Sequence, residues 1–277
     1  MALDFAKYEG LGNDFVIVEC APDALALGEV ERICDRHLGV GADGVLFVDR
    51  DEPRMTVINA DGSRPQMCGN GIRCVALHLS RTGHQALAEG AAVDIQTDAG
   101  PHRCRLIGQG EDAQVEVLMR PPSLHPADLP VVAEGPLRDA PFVLDGRQLR
   151  LTAVSMGNPH AVVFEDFGLA PSALGPLLAA DARFPEGVNV GFARLVGDGA
   201  LELKVLERGA GWTRACGTGA CAAAVAAVET GRIERGRPID VTLPGGTLRI
   251  DVGEAGAPLG MTGPARHVFD GRLAGRG

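Results

Sequence analysis

The sequence predicts an α/β fold of the α+β type, with two pseudo-symmetric domains from an internal duplication. A Cys-Gly-x-Gly turn occurs twice, at residues 68–71 and 216–219, and an apolar stretch follows each copy. Both stretches end at a Thr-Gly pair, and each glycine lies fifteen residues after its cysteine. Most of the remaining chain consists of short apolar or alternating runs separated by Gly, Pro and Asp, which is typical of strands. We therefore expect two strand-rich, mostly antiparallel domains, each wrapped around one helix.

Matched spacings between the two halves are the evidence for duplication. A Gly-Asn pair precedes an apolar strand in each half, and a polar or glycine position follows thirty-one residues later. A further polar residue lies nine residues before each cysteine. The matched pairs are 13 and 158, 44 and 189, 59 and 207, and 68 and 216. Only the interval between the second and third pairs differs, by three residues, so the halves are predicted to be copies of one unit.

Local patterns predict few helices and many strands. Helices are expected at 27–37, 72–79, 171–180 and 220–228. Strands are expected at 15–18, 45–48, 55–58, 93–97, 115–118, 142–144, 161–164, 201–206, 239–243 and 247–250. The proline-dense segment 120–130 is interpreted as a linker or an exposed crossing. The predicted domains are 1–118 together with the C-terminal segment 265–277, and 119–264.

Composition excludes several classes of function. The net charge of -10 argues against a nucleic-acid or acidic-membrane partner, because phosphate binding needs a basic surface. Without an apolar run of signal-peptide or membrane-span length, a cytoplasmic protein is expected. Seven cysteines in a chain without an export signal favour free thiols. The cysteines and histidines do not have the spacing of a zinc site, so no metal site is expected. Lys7 and Lys204 are the only lysines, and neither suits a pyridoxal Schiff base, so no cofactor is expected.

Two cysteines are candidates for chemistry. Cys68 and Cys216 each precede a helix start, where unpaired N–H groups and the helix dipole stabilise a thiolate and attract anions. If the two helix starts face a shared cleft, two thiols on opposite sides of one carbon suit a two-base proton transfer that inverts the centre. The other cysteines are interpreted as small packing residues. These are Cys20, Cys34, Cys74, Cys104 and Cys221.

Polar residues in register with the cysteines predict an amino-acid substrate. His160 and Glu207 are the groups expected to hold a proton when a thiol becomes a thiolate. Arg208 can bind a carboxylate through two parallel hydrogen bonds. Side-chain amides can bind both ammonium and carboxylate groups without carrying charge. The amides at the repeated positions are Asn13, Asn59, Asn158 and Asn189.

The motifs together resemble the diaminopimelate epimerase family over nearly the whole chain. The segments that carry the resemblance are 10–15, 59–63, 67–74, 155–160, 184–189, 207–211, 215–222 and 243–246. The resemblance implies a cofactor-independent isomerase that interconverts LL- and meso-diaminopimelate on the bacterial lysine and cell-wall route. It also implies two domains, each a barrel-like sheet around a central helix, and a homodimer.

Individual roles follow from the resemblance. Cys68 and Cys216 would be the acid and base, with His160 and Glu207 tuning their protonation. Backbone N–H groups would bind the reacting carboxylate, from Gly69, Asn70, Gly217 and Thr218. The substrate would also contact Asn13, Asn59, Asn158, Asn189, Glu207 and Arg208. Two positions depart from common family residues: Gly44, where some members have Gln, and Trp212, where Glu is common and a change could alter the lid of the cleft.

Besides a non-catalytic binding module, which would keep its ligand affinity with both thiols changed to Ser, two alternatives remain open at this point. The first is a proline or hydroxyproline racemase or epimerase, which also uses two thiols on this kind of fold. The substrate of such an enzyme has no second, distant zwitterion. In this chain Asn59, Asn189 and Arg208 are the candidates for binding such a group. The second is a redox protein in which Cys68 and Cys216 form a regulated disulfide. Thiol titration with and without reductant separates the latter from an epimerase.

Overall fold

A computed structural model describes residues 2–84, 91–108, 112–164 and 170–274 of the chain. The chain divides into two compact units: unit 1 comprises Met1–Leu118 and Thr262–Gly277, and unit 2 comprises Met119–Met261. The sequence predicts that the chain returns to the first unit at residue 265, whereas the structure has this boundary at Thr262. Residues 1 and 275–277 of the predicted first domain lie outside the described residues.

Strands dominate the structure, and four α-helices occur among the described residues. The helices are α1 (Leu27–Cys34), α2 (Gly69–Arg81), α3 (Pro171–Ala179) and α4 (Gly217–Glu229). The first strands are β1 (Leu3–Gly10), β2 (Asn13–Val18), β3 (Gly44–Asp49), β4 (Arg54–Asn59), β5 (Ala92–Thr97), β6 (Gly100–Ile107), β7 (Gln114–Met119), β8 (Ala140–Leu144) and β9 (Arg147–Ser155). The others are β10 (Pro159–Phe164), β11 (Asn189–Gly197), β12 (Ala200–Glu207), β13 (Gly211–Thr213), β14 (Pro238–Leu243), β15 (Gly246–Asp251), β16 (Leu259–Pro264) and β17 (Arg266–Leu273).

In unit 1 the pairing follows the order β17, β1, β2, β3, β4, β5, β6, β7. The pairs β2–β3 and β4–β5 are parallel, and the other five pairs are antiparallel. Helix α2 contacts β1 to β6 and β17, so the strands surround it.

Unit 2 repeats this arrangement in the order β8, β9, β10, β11, β12, β14, β15. The pairs β10–β11 and β12–β14 are parallel, and the other four pairs are antiparallel. Strand β13 forms an extra hairpin partner of β12. Helix α4 contacts β9, β10, β11, β12, β14 and β15.

The two units therefore have the same sequence of strand directions around one helix. Strand β17, from the end of the chain, occupies in unit 1 the place that β8 occupies in unit 2. The predicted fold class, two duplicated and mostly antiparallel domains around central helices, is confirmed.

Both central helices are buried, α4 with a sequence that is apolar on nearly every side and α2 with Asn70, Arg73 and His78 among its buried residues. Each is thirteen residues long, begins directly after its cysteine and ends at a threonine followed by a glycine with positive φ. Ala220 to Ala227 of α4 have almost no exposed surface. A helix that is hydrophobic all round must be enclosed. The same burial in α2 includes Arg73, whose charge requires partners that are described below.

Two local predictions are corrected by the structure. Helix α1 ends at Cys34 rather than at residue 37, because the Asp35 carboxylate accepts hydrogen bonds from the backbone N–H groups of His37 and Leu38 and turns the chain. The segment 120–130 is not a free linker. Leu129 is buried in the core of unit 2, and Ser123 pairs with Ser155. Among the described helices, none has the length and apolar character needed to cross a membrane.

Trp212, which departs from the family pattern, packs within unit 2. Its ring lies 6.1 Å from that of Phe192 between centroids. A Cβ atom added at Gly175 of α3 would lie 3.0 Å from Trp212 Cζ2 and 3.1 Å from Leu206 Cδ2. Gly175 is therefore required for the close approach of α3 to β12 and β13.

We predict that Gly175→Ala lowers the free energy of unfolding by about 1 kcal/mol or more, because overpacking outweighs the gain from replacing a helical glycine. It also shifts the emission of Trp212, the only tryptophan. Urea titration followed by fluorescence measures both effects. The matched control is Gly28→Ala in α1, where nothing lies within 4 Å of the added Cβ; it is expected to be neutral or stabilising. Equal behaviour of the two variants would contradict the prediction.

Candidate active site

In unit 1, Cys68 is the residue that caps α2. Its backbone is extended (φ -132°, ψ 114°), and its Sγ accepts a hydrogen bond from the Gly71 N–H at 3.3 Å. A Cβ atom at Gly71 would lie 3.1 Å from Leu46 Cδ2, so the second glycine of the motif allows the helix start to approach β3. The thiol is thus held at the positive end of the helix dipole.

The predicted amides of unit 1 lie around this helix start. Asn13 begins β2 and Asn59 ends β4, with Gly44 of β3 between these strands and paired with Asn59. Asn70 donates from Nδ2 to Asn13 Oδ1 at 3.0 Å. Asn59 donates to the Ser63 hydroxyl at 2.9 Å. A Cβ at Gly44 would lie 2.9 Å from the Ile58 carbonyl oxygen, so this position accepts a side chain only if β3 or β4 shifts.

Unit 2 repeats the arrangement at Cys216, which precedes α4 with nearly the same backbone angles (φ -133°, ψ 103°). The thiol is buried, and its Sγ lies 3.7 Å from the Thr218 hydroxyl. A Cβ at Gly219 would lie 3.1 Å from this sulfur and 3.0 Å from Val205 Cγ2. Glycine at this position therefore leaves the space that the sulfur occupies.

His160 and Asn158 lie beside this helix start. Asn158 Nδ2 donates to Thr218 Oγ1 at 3.4 Å, so its Oδ1 faces His160 Nε2 at 3.1 Å and accepts from the Nε2–H tautomer. His160 is completely buried. Burial, and secondarily the positive charge of Arg208, lower the pKa of His160 to about 3. The imidazole is therefore neutral at physiological pH.

The remaining predicted residues of unit 2 lie at the ends of β11 and β12. Asn189 pairs with His160 across the parallel strands, and its Nδ2 donates to the Pro159 carbonyl at 2.9 Å. Its Oδ1 accepts from the backbone N–H of Arg208 at 2.9 Å. The Arg208 guanidinium donates to the Glu186 carbonyl at 2.7 Å. Glu207 accepts a hydrogen bond from the Thr213 hydroxyl.

The expectation that a helix-terminal thiol is stabilised as thiolate is wrong for Cys216 in this structure. Burial and the negative charge of Glu207 raise the pKa of the Cys216 thiol well above its usual range. The Gly219 N–H and the Thr218 hydroxyl oppose this rise without cancelling it. Desolvation outweighs the helix terminus, so Cys216 carries its proton.

Each unit thus collects its own predicted residues at the start of its central helix. In unit 1 these are Asn13, Asn59, Cys68, Gly69 and Asn70. In unit 2 these are Asn158, His160, Asn189, Glu207, Arg208, Cys216, Gly217 and Thr218.

Sequence reasoning missed two residues of unit 1 that contact this group, Asp43 and Arg73. Asp43 Oδ2 accepts from Asn13 Nδ2 at 2.6 Å, and Arg73 donates to Asn70 Oδ1 at 2.9 Å. Arg73 lies inside the segment 67–74, and Asp43 directly precedes the matched position 44. A charged side chain at or beside a repeated position was the available signal.

A metal centre has no support in the part of the chain that the structure describes, where no three His, Cys, Asp or Glu side chains are placed to hold an ion. The chemistry available from the chain's own residues is acid–base chemistry of thiols beside helix N-termini that attract a carboxylate.

Solved structures with this fold include racemases and epimerases of small amino acids. A hydroxyproline epimerase from Agrobacterium vitis matches with a TM-score of 0.68 and 16% identity, over 98% of this chain and 91% of that one. A probable proline racemase from Agrobacterium radiobacter matches with a TM-score of 0.70 and 18% identity, over 98% and 93%. Because these structures are only 16% and 18% identical to this chain, the likeness shows a shared two-domain fold and does not define the substrate.

The chain belongs to the diaminopimelate epimerase family. The family model described as "Diaminopimelate epimerase" matches residues 5–125 and 152–268. The diaminopimelate epimerase of Desulforudis audaxviator is 44% identical over 285 residues, covering 98% of this chain and 99% of the relative. That of Xylella fastidiosa is 45% identical over 285 residues, covering 97% and 95%.

We predict that Glu207→Gln lowers the pKa of Cys216, because it removes a negative charge that disfavours the thiolate. Thiolate formation at Cys216, followed by pH-dependent alkylation and mass spectrometry of its peptide, should begin at lower pH than in the wild type. The control is Glu202→Gln, an exposed residue of the same strand paired with Arg194. A Cys216 titration that is the same in Glu207→Gln as in this control would contradict the stated cause.

Proposed function

We propose that this chain interconverts LL- and meso-diaminopimelate by proton transfer at the α-carbon, with Cys68 and Cys216 as the two acid–base groups. The observation that carries the proposal is the equivalence of the two thiols, which precede central helices of the same length with matching backbone angles. Family membership supplies the substrate, and the paired thiols supply the chemistry. An isomerase of this kind contributes to lysine and peptidoglycan precursor synthesis.

The protonated state of Cys216 assigns its role in one of the two directions of the reaction. As a thiol with a raised pKa, Cys216 is the proton donor when Cys68 removes the α-hydrogen from the opposite face. In the reverse reaction the roles exchange, and the Gly219 N–H and Thr218 hydroxyl stabilise the Cys216 thiolate. Burial, and after it the negative charge of Glu207, raise the pKa of Cys216 and so favour the thiol.

His160 acts in the proposal as a neutral hydrogen-bonding group. With a pKa of about 3 it does not become imidazolium at physiological pH. Its Nε2–H fixes the Asn158 amide, which in turn contacts Thr218 beside Cys216. Its influence on the thiols is therefore through position rather than charge.

Helix N-termini supply the positive potential for the reacting carboxylate. The first N–H groups of a helix have no intrahelical acceptor, and they bind anions. In α2 and α4 these groups belong to Gly69, Asn70, Gly217 and Thr218. Donors that are already oriented stabilise the negative charge that develops when the α-proton leaves.

The distal amino-acid end of the substrate requires further polar groups. Asn59 and Asn189 lie at strand ends next to the helix starts, and the Arg208 side chain is held by the Glu186 carbonyl. We assign these residues to the distal end, with Asn13, Asn158 and Glu207 completing the contacts. The reaction then needs no cofactor or metal, and we place the enzyme in the cytoplasm as a homodimer with no nucleic-acid or membrane partner.

The racemase alternative rests on fold alone. Its solved relatives are 16% and 18% identical to this chain, whereas the diaminopimelate epimerases are 44% and 45% identical over nearly full length. The redox alternative is tested by the assay below: a redox protein forms no meso product, whereas an epimerase with reduced thiols does.

The proposal is tested by incubating reduced protein with LL-diaminopimelate in heavy water. We expect deuterium at the α-carbon and formation of the meso isomer, since the returning hydrogen comes from a solvent-exchanged thiol. Proline and hydroxyproline serve as comparison substrates. No exchange with diaminopimelate, or faster exchange with proline, would overturn the proposed activity.

A second prediction concerns the two thiols separately. Cys68→Ser and Cys216→Ser should each reduce epimerisation by at least about a hundredfold, because each thiol serves one face and serine is a much weaker acid. Cys20→Ser is the control, since Cys20 lies in a bend and packs against the core cluster that contains Val30 and Ile33 of α1. Full activity in either active-site variant would show that a two-base scheme is wrong.

A further inference from the structure

A chain of side-chain hydrogen bonds runs through unit 1 from a buried cation to a carboxylate. Arg73 donates from Nη2 to Asn70 Oδ1 at 2.9 Å, and Asn70 Nδ2 donates to Asn13 Oδ1 at 3.0 Å. Asn13 Nδ2 then donates to Asp43 Oδ2 at 2.6 Å. Every link in this chain, which we call the amide relay, points in the same direction.

The two charged ends determine that direction. An arginine can only donate and a carboxylate can only accept, whereas an Asn amide can be turned to do either. With Arg73 at one end and Asp43 at the other, turning one amide would place two donors or two acceptors against each other. Charge-assisted hydrogen bonds at both ends make such a reversal costly.

Both ends are themselves fixed. Arg73 has no exposed surface and also donates to the carbonyl oxygens of Gly69 and Pro264, at 3.0 and 3.1 Å. Asp43 accepts from Arg36 at 2.7 Å and from the Asp14 N–H at 3.1 Å. The relay therefore starts and ends on groups that the fold holds in place.

Only one copy of the duplicated unit has this arrangement. By the spacing that matches Asn13 with Asn158, Asp43 corresponds to Val188; by the spacing that matches Asn70 with Thr218, Arg73 corresponds to Cys221. Val188 and Cys221 are buried and uncharged. Unit 2 instead orients its Asn158 with the neutral His160 and Thr218.

We propose that Asp43 and Arg73 are positioning residues that set the orientation of the Asn13 side-chain amide for substrate binding, with Arg73 acting through Asn70. This inference rests on the proposed function, in which Asn13 contacts the substrate. The Asn13 amide keeps one N–H and one lone pair that the relay does not use. The relay decides on which side of Asn13 its remaining donor lies, and hence whether a carboxylate or an ammonium group is accepted there.

The decisive variant is Asp43→Ala, which removes the acceptor. Asp43→Asn is unsuitable, because the Asp14 N–H and the Asn13 amide donate to the same oxygen and would hold the new amide oxygen in that place. In Asp43→Ala the Asn13 amide is free to turn, and we expect KM for LL-diaminopimelate to rise about tenfold or more, as for loss of a hydrogen bond to a charged group. We expect kcat to fall less than about threefold, because the relay does not touch the reacting carbon. Arg73→Lys should change KM in the same direction. If Arg73→Lys does not fold, Asp43→Ala alone decides the question.

The matched control is Asp98→Ala, since Asp98 also accepts from arginines of unit 1, Arg54 and Arg64, but contacts no relay residue. A double-mutant cycle separates positioning from general stability: in an Asn13→Ala background, Asp43→Ala should raise KM no further. An unchanged KM in Asp43→Ala, or an equal rise in the Asn13→Ala background, would overturn the inference. Failure of the proposed function is distinguished by the wild type, which in that case shows no exchange at all.

Discussion

Burial of the two central helices is the constraint on which the rest of the structure depends. Because α2 and α4 are enclosed by strands, neither can present a side face to a ligand. Only a helix end remains available, and the end chosen in both copies is the N-terminus, where N–H groups lack acceptors. The cysteine that precedes each helix is consequently placed beside an anion-binding position by the same packing that forms the core. The packing that stabilises the core therefore also positions the two cysteines.

Much of the fold could be predicted from the sequence because the duplication repeats each feature in both halves. Local rules predict the ends of the two central helices, at Thr82 and Thr230, and the strands that lie between glycine and proline turns. Strands β1, β6, β9, β11, β13, β16 and β17 were missed. Several carry Gly, Pro or closely spaced charges, as in β16 and β17, and are strands because neighbours pair with them. Tertiary pairing, rather than propensity, decides such segments.

The candidate residues were predicted by register, but their protonation was not. A thiol at a helix start suggests a low pKa, yet Cys216 has a raised one because burial and Glu207 outweigh the N–H groups. Likewise, nothing in the sequence shows that His160 is completely enclosed and neutral. Desolvation depends on what surrounds a group in three dimensions, which a motif does not contain. The charged partners of Asn13 and Asn70 were missed for different reasons: Asp43 is 30 residues from Asn13 in the chain, whereas Arg73 lies in the same helix as Asn70 and only the fold shows which way its side chain turns.

The place of β17 has a consequence for how the chain is made. Unit 2 is continuous in sequence, so all of its strands have been synthesised before the last segment emerges. Unit 1 is not: β1, near the first residues, pairs with β17, near the final ones. Until β16 and β17 have been synthesised, β1 has an open edge on the side away from β2, and Arg73 lacks the Pro264 carbonyl that accepts its hydrogen bond. The copy that begins the chain is therefore the one whose sheet closes last.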